Sequence, residues 1–483
     1  MCAKITDLPT ELLASIMLRT LDQSEWLRPQ LACSHVCRHW RAVALKEPGL
    51  WSRLVYSNSG KGKPEVVNFV LERTGPAVPL RMELSLYAEH YYGMEFESLG
   101  EVEQTFPNHT ILPSIAAELQ RAKSENSREA VLPVLERSFR ELGRTEWLNL
   151  IIAGNGWHAD DIRPLTAGRE LPVLRHFELD FSSRLESVHI HCPRVRVASF
   201  RGTLPHLVSP TSQLHFPQLK ELTLSSLGIP VHALRKVMSL LPRLELLKLQ
   251  NVKIRSHAED TTLLPPRHTP PRIWFERVDG ESTLAIVQLD SFMSAGIVDV
   301  EVRNPARSWN YFSTLYDVLA LERLGRVKRV SVDGLRITLC DDAGQRRCFD
   351  VPTHVEALWR MLAERLHVFE MAEEWEIQSE DPSWCSAFAA GNGGFIGAER
   401  AIFYVAPRAG FPAAQCFWPS LRQVRVFNGK VLDRSLHVLM NGLQRTAPHL
   451  ALVIIDRGQD PLQMQMWLRV TFPVLQNVVV QTT

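Results

Sequence analysis

The chain has 483 residues, 45% of them hydrophobic, enough for one large domain or several smaller ones around a sizeable core. Lys and Arg number 54 against 53 Asp and Glu, a net charge of +1, so bulk electrostatics gives no reason to expect nucleic acid or an anionic membrane surface as partner. Eight scattered cysteines fit the free thiols of an intracellular protein, the opening MCAKITDLPTELL lacks the apolar core of a secretory signal, and no run of about 18 apolar residues occurs. The expected setting is therefore cytoplasmic and/or nuclear, with no membrane and no nucleic acid.

The first predicted element is a helix in ITDLPTELLASIMLRTLD. Asp7 or Thr10 can cap it, Glu11 suits its first turn, and Leu12, Leu13, Ile16, Met17 and Leu21 follow at helical spacing. Next comes LACSHVCRHWRAVA, Leu31 to Ala44, with Cys33, His35, Cys37 and His39 inside seven residues. At about 100° per residue, a helix over Leu31–Leu45 gathers Ala32, Cys33, Val36, Cys37, Trp40, Val43 and Ala44 on one arc. Both histidines then fall on the opposite, polar side. Four ligands cannot converge on one zinc from opposite faces of a helix, so only a two-ligand half-site completed elsewhere survives as a metal reading. The simpler reading is an amphipathic helix with small apolar cysteines. Pro29 ends one helix or starts the next, Pro48-Gly49 breaks the chain, and Leu50-Trp51 returns as an anchor. A unit of about 50 residues is marginal alone, so its surplus apolar face docks on the rest of the chain or on a partner.

LPTELLASIMLRTL, then VCRHWRAVA, then PGLW resembles an F-box, with all three pieces in order at the usual separations. The resemblance implies a three-helix module over residues 4–55 that binds the Skp adaptor of cullin–RING ubiquitin ligases. Carried over, its adaptor contacts are Leu8, Pro9, Leu12, Leu13, Ile16, Met17, Val36, Cys37 and Trp40. Leu13 and Ala44 have packing of the module's own core as the alternative, and Trp51 is positioned to bridge to the next domain.

SNSGKGKPE reads as a polar linker, and its GKGK lacks the spacing of a phosphate loop. EVVNFVLERTGPAVPLRMELSL predicts a helix, a Gly-Pro turn and a strand, in the manner of many large fungal F-box proteins. A helical pattern runs through SIAAELQRAKSENSREAVLPVLERSFREL. Residues 56–165 as a whole read as linker and flank. From there a phrase built on Pro-x-Leu or Pro-x-Val recurs: LPVLRHFELD, CPRVRVASF, FPQLKELTL and LPRLELLKL, at steps of 21 to 25 residues, then WPSLRQVRV, APHLALVII and FPVLQNVVV. LGRVKRVSV looks like a copy without proline. Apolar residues follow alternately (Leu219, Leu222, Leu224; Leu244, Leu247, Leu249), as in a half-buried strand, and PVHALRKVMSLLP between two copies is helical. One strand and one helix in so short a period is the pattern of leucine-rich repeats, with a doubly wound α/β domain as the rival. The expected fold is α/β: a small helical F-box followed by an irregular leucine-rich-repeat-like solenoid over 166–483, poorly patterned near 255–318 and 340–415.

These features imply a non-catalytic substrate receptor of a ubiquitin ligase, with the Skp adaptor and through it a cullin at one end and an unknown protein substrate at the other. His176, Glu178, Asp180, Glu221, Thr223, Ser225, Lys248 and Gln250 flank the apolar strand positions and are the candidate substrate face. The aromatic cluster Trp309, Tyr311, Phe312 and Tyr316 is a second candidate, with core packing as its alternative. No His-Glu-x-x-His, Gly-x-Ser-x-Gly or phosphate loop is present, GNGGFIG reads as a turn, and no cofactor, metal or catalytic residue is expected. The other readings are an interaction scaffold working outside the ligase and, remotely, a helix-turn-helix DNA reader using Arg38, Arg41 and Lys46.

Overall fold

The computed structural model describes residues 8–21, 28–58, 63–87, 128–153, 157, 159–162, 170–181, 190–202, 216–255, 271–279, 282, 298–303, 318–319, 321–333, 335–350, 362, 367–378, 395–404, 416–427, 434–456, 461–473 and 479–482. The chain divides into two units, one of residues 1–252 with 266–268, the other of 253–265 with 269–483.

The first unit begins with helices α1 (Thr10–Leu21), α2 (Arg28–His35) and α3 (Arg38–Lys46), then a 3-10 turn at Pro48–Trp51. Helix α1 starts behind Pro9, whose carbonyl accepts the Leu13 N–H at 3.0 Å, so Thr10 is its first residue rather than its cap. Asp7 lies outside the described residues. Pro29 sits in the first turn of α2, where a missing N–H costs nothing. The single helix expected over Leu31–Leu45 is two. Cys37 takes an extended conformation, its Sγ accepts the Trp40 N–H at 3.5 Å, and it thereby caps α3. The break leaves Cys33, Val43 and Ala44 buried but turns Val36 outward.

The strands follow: β1 (Arg53–Ser57), β2 (Leu80–Tyr87), β3 (Thr145–Ala153), β4 (His176–Phe181), β5 (Val197–Arg201), β6 (Glu221–Ser225), β7 (Gly228–Pro230) and β8 (Leu246–Gln250), with helices α4 (Glu65–Thr74), α5 (Arg128–Arg140) and α6 (Val231–Leu240). Strands β1, β2, β3, β4, β5, β6 and β8 are parallel neighbours in chain order. Such order has no switch point, the mark of a doubly wound sheet. The sheet therefore starts at Arg53, at the edge of the expected F-box segment, and the expected linker and flank supply β2 and β3. Asn58 from the polar run fastens β1 to β2: its amide donates to the Tyr87 carbonyl at 2.8 Å and accepts the Tyr87 N–H at 2.7 Å.

The described Pro-x-Leu phrases are turns that feed strands. The leucine or valine N–H bonds back to the carbonyl before the proline: Val195 to Cys192, Leu219 to Phe216, Leu244 to Leu241, Leu421 to Trp418, Leu450 to Ala447, all at 3.1–3.3 Å. Proline's fixed φ suits the second position of such a turn. The turns stack in register. The Arg196 carbonyl accepts from Lys220 and Glu221, and the Lys220 carbonyl from Glu245 and Leu246. Alternate strand residues then point inward: Phe177, Ala198, Leu222 and Leu247 in one row, Leu179, Phe200, Leu224 and Leu249 in the next, all buried. Each such leucine contributes about 1.5–3 kcal/mol by burial.

The residue closing successive strands is left-handed: Gly202 (φ 75), Ser226 (φ 53), Asn251 (φ 50). Gly202 donates to Ser225 O and Ser226 to Gln250 O, both at 2.9 Å. At Gly202 a Cβ would sit 2.6 Å from the Phe181 carbonyl oxygen. Gly202→Ala should therefore cost about 1–3 kcal/mol, whereas Ser226→Gly should be neutral or stabilising. Paired denaturant titrations would show the opposite signs.

The second unit holds β9 (Lys253–Arg255), β10 (Arg272–Glu276), β11 (Asp299–Arg303), β12 (Val327–Asp333), β13 (Arg336–Asp341), β14 (Arg346–Asp350), β15 (Glu374–Ile377), β16 (Arg400–Tyr404), β17 (Gln423–Phe427), β18 (Leu452–Asp456) and β19 (Val479–Thr482), with helices α7 (Val368–Met371), α8 (Arg434–Thr446) and α9 (Pro461–Thr471). From β10 to β19 the strands run β10-β11-β14-β13-β12-β15-β16-β17-β18-β19, parallel except β13, which is antiparallel to both neighbours. The stretches expected to be irregular thus contain regular strands. RIWFE, the tail of the proline-rich segment, is β10. Part of 340–415 is a hairpin turned by Gly344 (φ 80) and Asp341, whose Oδ1 accepts the Gln345 N–H at 2.7 Å. The end of GNGGFIG repeats the Pro-x-Leu turn without proline: Ala398 donates to Phe395 O at 3.2 Å, and the Phe395 ring stacks on Trp418 at 3.7 Å. Trp309, Tyr311, Phe312 and Tyr316 lie outside the described residues.

Candidate functional site

Two kinds of surface carry the candidate residues. On α1 the apolar residues split into two stripes. Leu13 and Met17 are fully buried in the chain's own core, the alternative stated above for Leu13. Leu12 is 54% exposed and Ile16, one turn on, 43%, with exposed Pro9 at the head of the same stripe. Val36, at the break between α2 and α3, is 56% exposed. Leu8, Cys37 and Trp40 are half-buried. Exposed large apolar side chains on consecutive turns of a small helical module are the chemistry of a helix-face interface.

This module is joined to the sheet through Trp51. Its Nε1 donates to the Ala44 carbonyl at 2.8 Å, its own carbonyl accepts the Thr74 hydroxyl at 2.6 Å, and its ring meets Phe69 of α4 edge-on at 5.2 Å. The Arg73 guanidinium lies 3.4 Å from the Phe69 centroid.

The second surface is the outward face of the first unit's sheet. Register puts His176, Glu178 and Asp180 of β4 beside Val197, Ser199 and Arg201 of β5, then Glu221, Thr223 and Ser225 of β6, then Leu246, Lys248 and Gln250 of β8. The eight candidate residues therefore share one face. Ser225 departs from the rest: it is buried at the closing end of β6, where its carbonyl takes the Gly202 N–H. Ser199 and Arg201, missed in the sequence, fill the gap between β4 and β6, and reading the alternate positions of CPRVRVASFR would have found them. A stack crosses the β2–β4 end: the Arg81 guanidinium is 4.7 Å from the Trp147 ring, Trp147 lies flat on His176 at 3.6 Å, and His176 Nε2 is 2.7 Å from Glu178 Oε1. Ion pairs join neighbouring strands: Arg53–Glu83 at 2.9 Å, Arg201–Asp180 at 3.2 Å, Lys248–Glu221 at 4.0 Å.

Burial pushes the Asp180 carboxyl above its ordinary value, against the opposing pull of Arg201. A raised folded pKa means that the neutral acid is the favoured form in the fold. Its stability contribution is full below the ordinary value of 3.8 and is lost as pH rises through the raised value. Asp180→Asn should therefore slightly raise the melting temperature at pH 7, with the difference vanishing near pH 3.5. A lower melting temperature at pH 7 would mean that the Arg201 pair outweighs burial.

The second unit's outward face begins with the same ionic ladder: Arg346–Asp299 at 3.4 Å, Arg346–Glu301 at 3.2 Å, Arg336–Asp350 at 2.8 Å, and Glu374 held between Arg329 and Arg400 at 3.2 and 3.3 Å. Its character changes at β16–β18. The outward residues there include Ile402, Tyr404, Phe427, Leu452 and Ile454, all half-buried. Tyr404 and Phe427 stack at 4.7 Å, and Tyr404 Oη donates to Glu376 at 3.0 Å.

A family model described as F-box-like matches residues 5–57, the segment that holds α1 to α3 and the Trp51 turn. No curated protein matches the chain.

Proposed function

We propose that this chain is the substrate-recognition subunit of a Skp–cullin–F-box ubiquitin ligase. The F-box-like domain carries the reading, since such domains generally bind the Skp adaptor. The exposed Pro9–Leu12–Ile16 stripe and Val36 supply the apolar contact such binding needs. The rest of the chain is read as a leucine-rich-repeat-like solenoid that holds a target protein. Parallel strands in chain order, stacked Pro-x-Leu turns and the recurring left-handed residue support it. The protein does no chemistry of its own and needs no cofactor. It raises a target's effective concentration beside a charged ubiquitin-conjugating enzyme, in the cytoplasm and/or nucleus.

The test is assembly. Purified chain, Skp adaptor, cullin and RING subunit should co-elute as one complex that supports ubiquitin chain formation. A chain that binds no adaptor but remains folded would favour a scaffold working outside the ligase.

A further inference from the structure

The ionic ladders and the β16–β18 patch say different things about what a target must look like. Over most of both outward sheet faces, the charged side chains are matched across neighbouring strands. A phosphate or acidic segment landing there would have to displace a carboxylate already seated on Arg201, Arg336, Arg346 or Arg400. At β16–β18 the matched charges give way to Ile402, Ile454 and the stacked pair Tyr404–Phe427. Glu376 already accepts from Tyr404 and from Gln378, each at 3.0 Å. Arg425, which register puts between Ile402 and Ile454, has its guanidinium 4.9 Å from the Phe427 centroid, and Asp456 is the register partner of Phe427 on β18. The patch thus offers apolar and ring surface, with Glu376 held by the Tyr404 hydroxyl and Arg425 lying against the Phe427 ring.

Strands about 4.8 Å apart and a rise of about 3.3 Å per residue make this patch roughly 10 Å by 7 Å. That matches two side chains at positions i and i+2 of an extended segment. We infer that Ile402, Tyr404, Phe427 and Ile454 form the docking site for an uncharged, unphosphorylated stretch of the target protein with large apolar or aromatic side chains two residues apart. This rests on the substrate-receptor reading and names its substrate class.

The test is selection of a phage-displayed random dodecapeptide library on the full chain, in parallel with an array of phosphorylated and unphosphorylated peptides. The expected consensus is two apolar or aromatic residues separated by one, bound at least about tenfold more weakly by Ile402→Asp and by the milder Phe427→Ser, and unchanged by Arg243→Ser at an exposed turn of the other unit. Both patch variants should keep their melting temperature and their Skp adaptor binding. An acidic consensus, binding only of phosphorylated peptides, no consensus at all, or a consensus indifferent to both patch variants would overturn the inference. Adaptor binding is read separately, so failure here leaves the ligase assignment standing, and loss of adaptor binding leaves the peptide result standing.

Discussion

Trp51→Ala should destabilise the first unit by about 3–5 kcal/mol, the range for truncating a buried tryptophan. The side chain is 1% exposed, and its indole N–H satisfies the Ala44 carbonyl near the end of α3. Its ring packs on Phe69 while its carbonyl holds Thr74, which ends α4. Removing the ring opens a cavity between the helical module and the helix that covers β1, and strands the Ala44 carbonyl. Trp51→Phe keeps most of the packing and loses the hydrogen bond, so it should cost less. Denaturant titration followed by fluorescence and far-UV circular dichroism would measure both. A cost below about 1 kcal/mol for the alanine variant would mean that the module does not share a core with the sheet.

The second large effect separates surface from core on α1. Leu12→Asp and Ile16→Asp place a charge where the structure shows exposed apolar side chains, so each should leave the melting temperature within a degree or two. Each should also weaken Skp adaptor binding by about 100-fold, the loss expected from a charge at the centre of an apolar interface. Leu13→Ala and Met17→Ala, one position on from these, should do the reverse. They are fully buried and should cost about 2–5 kcal/mol in stability, with adaptor affinity falling only as the fold does. Isothermal titration on all four variants distinguishes the stripes. A Leu13→Ala chain that stays stable but loses the adaptor would reverse the assignment.

The contrast between those stripes marks where sequence reading reaches its limit. Leu12, Leu13, Ile16 and Met17 are equally apolar, and helical spacing alone puts all four on one broad side. Which pair is buried is decided by α2 and α3, whose own placement depends on the break at Val36–Cys37. That break is set by a thiol acting as a helix cap, a weak signal beside serine or aspartate. The Pro-x-Leu turns were legible because proline fixes the second turn position and leucine must fill the core beneath it. Of the earlier strands, β1 follows Pro48-Gly49-Leu50, whose Leu50 N–H bonds back to the Glu47 carbonyl at 3.1 Å as in the later turns, and β2 follows Pro76-Ala77-Val78. These phrases fall in the F-box and flank segments, and only β3 lacks one. The strands within 255–318 and 340–415 were hidden by proline runs and by a hairpin that reverses direction mid-sheet. The outward face of β4–β8 followed directly from period-two alternation. Applied to APHLALVII, the same rule finds Leu452 and Ile454 of the β16–β18 patch, whereas WPSLRQVRV gives Gln423 and Arg425, and Ile402, Tyr404 and Phe427 lie outside both phrases.

The most direct test of the account is a calorimetric titration of the full chain with purified Skp adaptor. The account predicts one-to-one binding with a Kd of about 1 μM or tighter, abolished in the Leu12→Asp/Ile16→Asp double variant. A folded wild-type chain that gives no binding heat at adaptor concentrations of about 50 μM, with no complex by size exclusion, would contradict it.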